Sequence, residues 1–244
     1  GPGGLCVRPC GGACIVIFST PAPYSENRLS EMLARNAQWA GQITAQDPDY
    51  FKRLSAGQSP AFTVISCCDS RADPNTLLQS NLGELFVYKN VANQAGLNDL
   101  SLQTAIQFSI DSLKVKHILV FGHHNCGGVR IALGLHAGGA PGDWLEGVRE
   151  LAHDHQLFNP ASPEQANRNV DKLCELNVIQ QVRLAALSPA VNAAWGRGEP
   201  VAVGGLVYSL STGRVIDLDC TIRSRAEIDE RCFSAMKAIC ARYQ

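Results

Sequence analysis

The chain has no apolar run near the roughly 18 to 20 residues that a membrane-crossing helix needs, the nearest candidates being single strands such as Ile118-Leu-Val-Phe121. A helical span is excluded and a soluble protein is expected. An excess of either charge sign is also missing: 21 basic and 22 acidic residues are mixed along the chain, for a formal net charge of -1. With neither a basic stripe nor a polybasic patch, nucleic acid and membrane are not expected partners, and a small neutral or anionic ligand fits better. Internal repeats are absent, and no linker is long or polar enough to divide the chain. The ten cysteines do not make it a disulfide scaffold, because 244 residues far exceed a stapled mini-domain.

What is present is a 45% apolar fraction on a chain long enough for a substantial core. Cys174, Cys220, Cys232 and Cys240 fall in apolar or helical patterns and read as small core residues in reduced surroundings. Cys6, Cys10 and Cys14 recur every fourth residue, but no histidine accompanies them and Gly11-Gly12 interrupts any helix. An incidental, flexible arm over residues 1–24 is expected in preference to a metal or disulfide site. Gly1-Pro2 resembles the remnant of a cleaved tag and supports no targeting claim. A cytoplasmic protein, or one from an organelle matrix if a presequence was trimmed, is expected.

Ser25 is placed to cap a helix over 26–45 with apolar residues Leu29, Met32, Leu33, Ala37, Trp39 and Ala40, which Asp47-Pro48 ends; a short helix follows over 50–54. From residue 61 short strands alternate with helices. Strands are expected at 62–66, 85–91, 117–121, 201–210 and 215–218, and helices at 100–113, 144–153, 163–187 and 225–243, with a Gly-rich loop over 134–142. This order predicts one α/β domain, 25–244, around a mainly parallel sheet flanked by helices.

Ligands of such sheets gather at the carboxyl ends of strands. One end carries Cys67-Cys68-Asp69-Ser70-Arg71 and another Gly122-His123-His124-Asn125-Cys126-Gly127-Gly128. In extended chain, Cys67, Asp69 and Arg71 share one side and Cys68 faces the other. If the second segment enters a helical turn, His123 and Cys126 share a face while His124 diverges. Cys67, His123 and Cys126 then form a three-ligand site of two thiolates and an imidazole, suited to zinc with one position open. Taken singly, each of these residues reads better as an ordinary core residue; the combination at two strand ends reverses that and favours the metal.

The sequence resembles the β-class carbonic anhydrases, whose C-x-D-x-R motif is met by Cys67, Asp69 and Arg71 and whose H-x-x-C motif is met by His123 and Cys126. The likeness extends through Asn36-Ala-Gln-Trp39, Gly83-Glu-Leu-Phe86, Asn90-Val-Ala-Asn93, Cys174-Glu-Leu-Asn177 and Asp217-Leu-Asp219. It implies an α/β core dimerised through exchanged N-terminal helices, as a homodimer or larger homo-oligomer. It also implies one zinc per chain and hydration of carbon dioxide to bicarbonate by water made nucleophilic on that zinc.

In that likeness Asp69 orients the nucleophile and Arg71 keeps Asp69 ionised. Gln58 matches a substrate-binding glutamine, and Phe86 an apolar pocket wall. Phe108 stands where many relatives carry tyrosine, so a wall hydroxyl is missing. Without the resemblance, Phe86 and Phe108 read as core. His124 reads as either a proton relay or a solvent-facing loop histidine. Trp39, Lys89 and Tyr208 correspond to a second bicarbonate pocket found in some relatives; lysine lacks the guanidinium fork that suits such an anion, so weak or absent regulation is expected there. Some family members close the zinc site with the aspartate at low pH, which would require the loop Ala72-Asp-Pro74 to move. Two other readings stand beside this one: a hydrolase of carbonyl sulfide or carbon disulfide, and a non-catalytic zinc-binding or thiol-redox protein.

Overall fold

The computed structural model describes residues 27–135 and 142–244, and the backbone of two short strands, β1 (Cys6–Val7) and β2 (Ile15–Val16). Ser25, Glu26, Cys10, Cys14 and most of the expected loop at 134–142 lie outside the described residues. The chain forms two compact units, Gly1–Ala56 and Gly57–Gln244. In the first, β1 and β2 pair antiparallel. Helix α1 (Arg28–Gln46) stops at Asp47, before Pro48, and α2 (Tyr50–Ser55) follows. Trp39 meets Phe51 edge-on with centroids 5.6 Å apart, and Arg53 pairs with Asp47. No residue of α1 is buried; Leu29, Met32 and Leu33 stand exposed along it.

The second unit is built on five strands in the order β4-β3-β5-β6-β7: β3 (Phe62–Cys67), β4 (Leu85–Asn90), β5 (His117–His123), β6 (Ala202–Ser209) and β7 (Arg214–Asp217). The first four neighbours run parallel and only β7 runs antiparallel, as the sequence pattern predicts. β3 is buried at every residue after Phe62, polar Thr63 and Ser66 included. Helices α3 (Pro74–Leu77), α4 (Leu100–Asp111), α5 (Gly127–Ala132), α6 (Glu146–Asp154), α7 (Pro163–Ala186), α8 (Pro189–Gly196) and α9 (Ile228–Arg242) complete it.

Local chemistry starts several of these helices. Asp73 accepts from Thr76 N–H at 3.0 Å, Asp99 from Leu102 N–H at 3.1 Å, and Ser162 from Gln165 N–H at 3.1 Å. The short helices α3, α5 and α8 escape the sequence pattern because they span only one or two turns. Helix α7 is the central one, with 12 of its 24 residues buried, packed on β5, β6 and α9. Its approach needs glycine in the sheet: a Cβ at Gly122 would lie 2.4 Å from Val178 Cγ2, and one at Gly205 2.9 Å from Val178 Cγ1. Two strands run further than the pattern suggests, β3 to Cys67 and β5 to His123. Each therefore delivers its chemistry-bearing residue as the last rung of the sheet.

Candidate metal centre

β3 and β5 are adjacent and parallel, so Cys67 and His123 emerge at the same edge. Cys126 follows two residues beyond His124, immediately before α5. The Cys67 and Cys126 sulfurs are 3.9 Å apart, and the donor atoms of Cys67, His123 and Cys126 all lie within 4.8 Å of one another. All three residues are buried, whereas Cys68 is exposed. The facing rule thus selects the cysteine that joins the buried cluster. It does not account for Asp69 and Arg71, because the strand ends at Cys67. Their pairing comes from a turn in which Asp69 Oδ1 accepts the Arg71 backbone N–H at 3.0 Å. The Arg71 side chain then donates to both carboxylate oxygens, Nε to Oδ1 at 2.9 Å and Nη2 to Oδ2 at 2.7 Å. Asp69 Oδ2 stands 3.7 Å from His123 Nε2.

The second segment also departs from the expected helical turn. Asn125 is left-handed (φ 53°) and Cys126 is extended (φ -66°, ψ 129°), so the chain doubles back and brings the Cys126 thiol to Cys67. His123 Nδ1 lies 2.9 Å from the His124 carbonyl oxygen. A carbonyl can only accept, so Nδ1 carries the proton and Nε2 keeps its lone pair. Nε2 is buried without a hydrogen-bond partner. An orphaned imidazole nitrogen facing two thiols is the environment a metal completes. Tetrahedral zinc with Zn–S near 2.3 Å separates two sulfurs by about 3.8 Å, and these thiols stand at 3.9 Å. The donor set fits zinc.

The electrostatics agree. The hydrogen bond from the Cys126 thiol, with help from His123 and against burial, holds Cys67 down to about 4. Cys126 is pushed up correspondingly by that same bond and by burial. The Arg71 guanidinium holds the Asp69 carboxyl down to about 2, against burial. The site therefore keeps a fixed carboxylate beside three soft donors over the whole neutral range.

A family model described as carbonic anhydrase matches residues 62–215. A carbonic anhydrase of Emericella nidulans is 35% identical over 196 residues, 80% of this chain and 86% of that protein. One from Candida albicans is 36% identical over 191 residues, 78% of this chain and 67% of that protein. Among solved structures, the Coccomyxa β-carbonic anhydrase in complex with acetazolamide superposes with a TM-score of 0.75 at 36% identity, covering 85% of this chain and 97% of the other. One of two tetrameric β-carbonic anhydrases from Sordaria macrospora gives 0.72 at 30% identity, covering 81% and 100%. The chain belongs to the β-carbonic anhydrase family.

The other residues that the sequence of this β-carbonic anhydrase nominates are not all gathered at the cluster. Phe86 and Phe108 pack together at 5.9 Å between centroids, Phe86 half-buried on β4 and Phe108 exposed on α4. The register pairs Thr63 with Phe86 and Cys67 with Asn90. Phe86 thus sits four residues, about 13 Å, back along the sheet from the metal edge of its own chain. Gln58 is exposed just ahead of β3. Trp39 lies on α1 in the first unit. Lys89 on β4 and Tyr208 on β6 are separated by β3 and β5, three strand spacings or about 14 Å across the sheet. Lys89 is ion-paired with Asp73 at 3.4 Å instead.

His124 is neither solvent-facing nor free: its Nε2 lies 3.0 Å from Glu175 Oε1. Glu175 was not singled out by sequence reasoning, and neither was the amide network that holds the loop after β4. There Asn177 donates to Ala92 O at 3.0 Å and Gln94 to Asn177 Oδ1 at 3.1 Å, while Gln181 Oε1 accepts from Ala95 N–H at 2.7 Å. This network secures left-handed Ala92 and Asn93 beside the metal edge. The available signal was a set of polar residues, Glu175, Asn177 and Gln181, inside an otherwise apolar helical run.

Proposed function

We propose that this chain catalyses the reversible hydration of carbon dioxide to bicarbonate and a proton, with one zinc held by Cys67, His123 and Cys126. The observation that carries the reading is the buried cluster with its orphaned His123 Nε2, set directly against the Asp69–Arg71 pair. Zinc bound there supplies Lewis acidity that brings the pKa of a water near 7. Asp69, ionised, accepts a hydrogen bond from the attacking oxygen and so points its lone pair at the carbon. Arg71 holds that carboxylate in one orientation through two parallel bonds. Gln58 donates to a substrate oxygen.

Phe86 and Phe108 supply the apolar wall for a substrate with nothing polar to grip. The strand register supports their serving the metal edge of a second copy rather than their own, and so supports a homodimer or larger assembly, with the uncovered stripe of α1 exchanged between copies. Sedimentation of a fully active monomer would reject that assembly. Residues 25–244 act as one enzyme domain. Bicarbonate regulation through Trp39, Lys89 and Tyr208 is weak or absent, a reading that the Lys89–Asp73 ion pair supports. The bond between His124 and Glu175 favours a fixed structural role over proton relay.

Cys67, Cys68, Cys126, Cys174, Cys220, Cys232 and Cys240 are free thiols, which supports a reducing compartment, cytoplasm or organelle matrix. Among the described residues no helix is long and apolar enough to cross a membrane. No specific observation favours the carbonyl sulfide, carbon disulfide or non-catalytic readings. Stopped-flow hydration of carbon dioxide, with zinc content measured on the same sample, tests the proposal. A zinc-loaded protein no faster than buffer rejects it.

A further inference from the structure

The mechanism leaves one buried acid unexplained. Glu175, 3% exposed on α7, accepts from His124 Nε2 at 3.0 Å and from the Tyr243 hydroxyl at 2.9 Å on Oε1, and from the Arg242 guanidinium on Oε2. Four residues earlier, Asp171 Oδ1 accepts the Asn125 backbone N–H at 2.8 Å. Positions 171 and 175 lie on one face of a helix. Two consecutive residues of the metal turn, His124 and Asn125, are thus each held by that single face of α7. From the other side the Tyr208 carbonyl of β6 accepts His124 N–H at 2.9 Å.

The peptide unit joining His124 to Asn125 is the centre of this arrangement. Its N–H goes to Asp171 and its C=O accepts the Nδ1 proton of His123. A peptide is planar, so anchoring the N–H fixes where the C=O points. That carbonyl in turn decides which imidazole nitrogen carries the proton. We propose that Asp171 and Glu175 are positioning residues of the metal site: gripping the 124–126 turn, they lock the His123 tautomer that leaves Nε2 free between the two thiols. This rests on the zinc reading of the cluster. Asp171 acts through the peptide, Glu175 through the His124 side chain, and α9 braces Glu175 through Arg242 and Tyr243. Partners that orient a metal-binding histidine typically change metal affinity or activity about 10- to 100-fold when removed.

The test compares Asp171→Ala with Asp171→Asn, and Glu175→Leu with Glu175→Gln. Asparagine and glutamine keep an acceptor oxygen; alanine and leucine do not. Zinc affinity is measured by competition with a chromophoric chelator, and the His123 tautomer in the metal-free protein by 15N–1H correlation of the imidazole nitrogens. The expected result is a loss of about 10- to 100-fold in zinc affinity for Asp171→Ala and Glu175→Leu. His123 in those variants should shift from the Nδ1–H form to a mixture, and affinity should be restored in Asp171→Asn and Glu175→Gln. Unchanged affinity and tautomer in Asp171→Ala overturn the proposal. So does an equal loss in Asp171→Asn and Asp171→Ala that follows their melting temperatures, which marks a merely structural role. Should Glu175→Leu fail to fold, the Asp171 pair still decides. A parent protein that binds no zinc rejects the ligand assignment instead, and the metal-free tautomer measurement still judges the clamp.

Discussion

The two turns that build the metal centre are held in opposite ways. The one after β3 is self-contained: Asp69 caps its own turn and Arg71 closes over it, so the hydrogen bonds that these two side chains make all stay within the 69–71 segment. The one after β5 has a left-handed Asn125 and is fixed from outside, by Asp171 and Glu175 on α7 and by Tyr208 on β6. The first brings the carboxylate, whose position must survive each turnover. The second brings Cys126 and the carbonyl that orients His123, and their geometry is only as good as the seating of a helix more than forty residues away in sequence. A local device tolerates distant change; a clamped one transmits it.

The strongest break in this comparison is loss of a donor. Cys67→Ser and Cys126→Ser should each lose zinc and fall to background hydration, while the exposed Cys68→Ser should retain both, as metal analysis with stopped-flow kinetics will show. Retention of metal by Cys67→Ser and its loss from Cys68→Ser would reverse the assignment. Next is Asp69→Asn, which removes the charge from the self-contained turn without touching the donors. Turnover should drop by about 10²- to 10³-fold, the usual scale for one preorganised electrostatic group, with zinc still bound at one per chain. Unchanged turnover in a zinc-replete sample would remove Asp69 from the chemistry.

Smaller effects sharpen the contrast. Gly122→Ala places a methyl 2.4 Å from Val178 Cγ2 and must push α7 away from the sheet. Overpacking of this kind costs about 1–3 kcal/mol, a fall of several degrees in Tm. Because α7 grips the second turn, zinc affinity should fall as well. Leu102→Ala on α4, a fully buried side chain away from that grip, should cost about 2–5 kcal/mol yet leave zinc affinity intact. Equal effects of the two on zinc would dissolve the distinction between local and clamped turns.

The smallest effect concerns acid. Burial raises the Glu175 carboxyl, but the hydrogen bonds from His124, Arg242 and Tyr243 outweigh it, and the group sits below its ordinary value. A depressed carboxyl contributes stability above its unfolded pKa, about 4.3, and loses it as pH falls through the folded value. Denaturant midpoints between about pH 5 and pH 3 should therefore fall more steeply in the parent than in Glu175→Gln. Parallel slopes would mean that Glu175 is not ionised in the fold.

Much of this was legible in the chain itself. Alternation of short apolar runs with amphipathic stretches sets a mainly parallel sheet. Cys67 over Cys68 follows from strand pleating alone, and His123 with Cys126 from spacing, although the turn that joins them is not the helical one spacing suggests. These are local properties, encoded within a few residues of where they act. Only the tertiary structure decided the rest. It placed β3 beside β5, so that two motifs more than fifty residues apart share an edge. It turned Asp171 and Glu175 toward the metal turn, and it set Phe86 about 13 Å from the metal edge of its own chain. The reason is physical: pleat, cap and turn are fixed by bonds between near neighbours, while which buried acid meets which backbone N–H depends on how a helix seats on a sheet, and here two glycines set that depth.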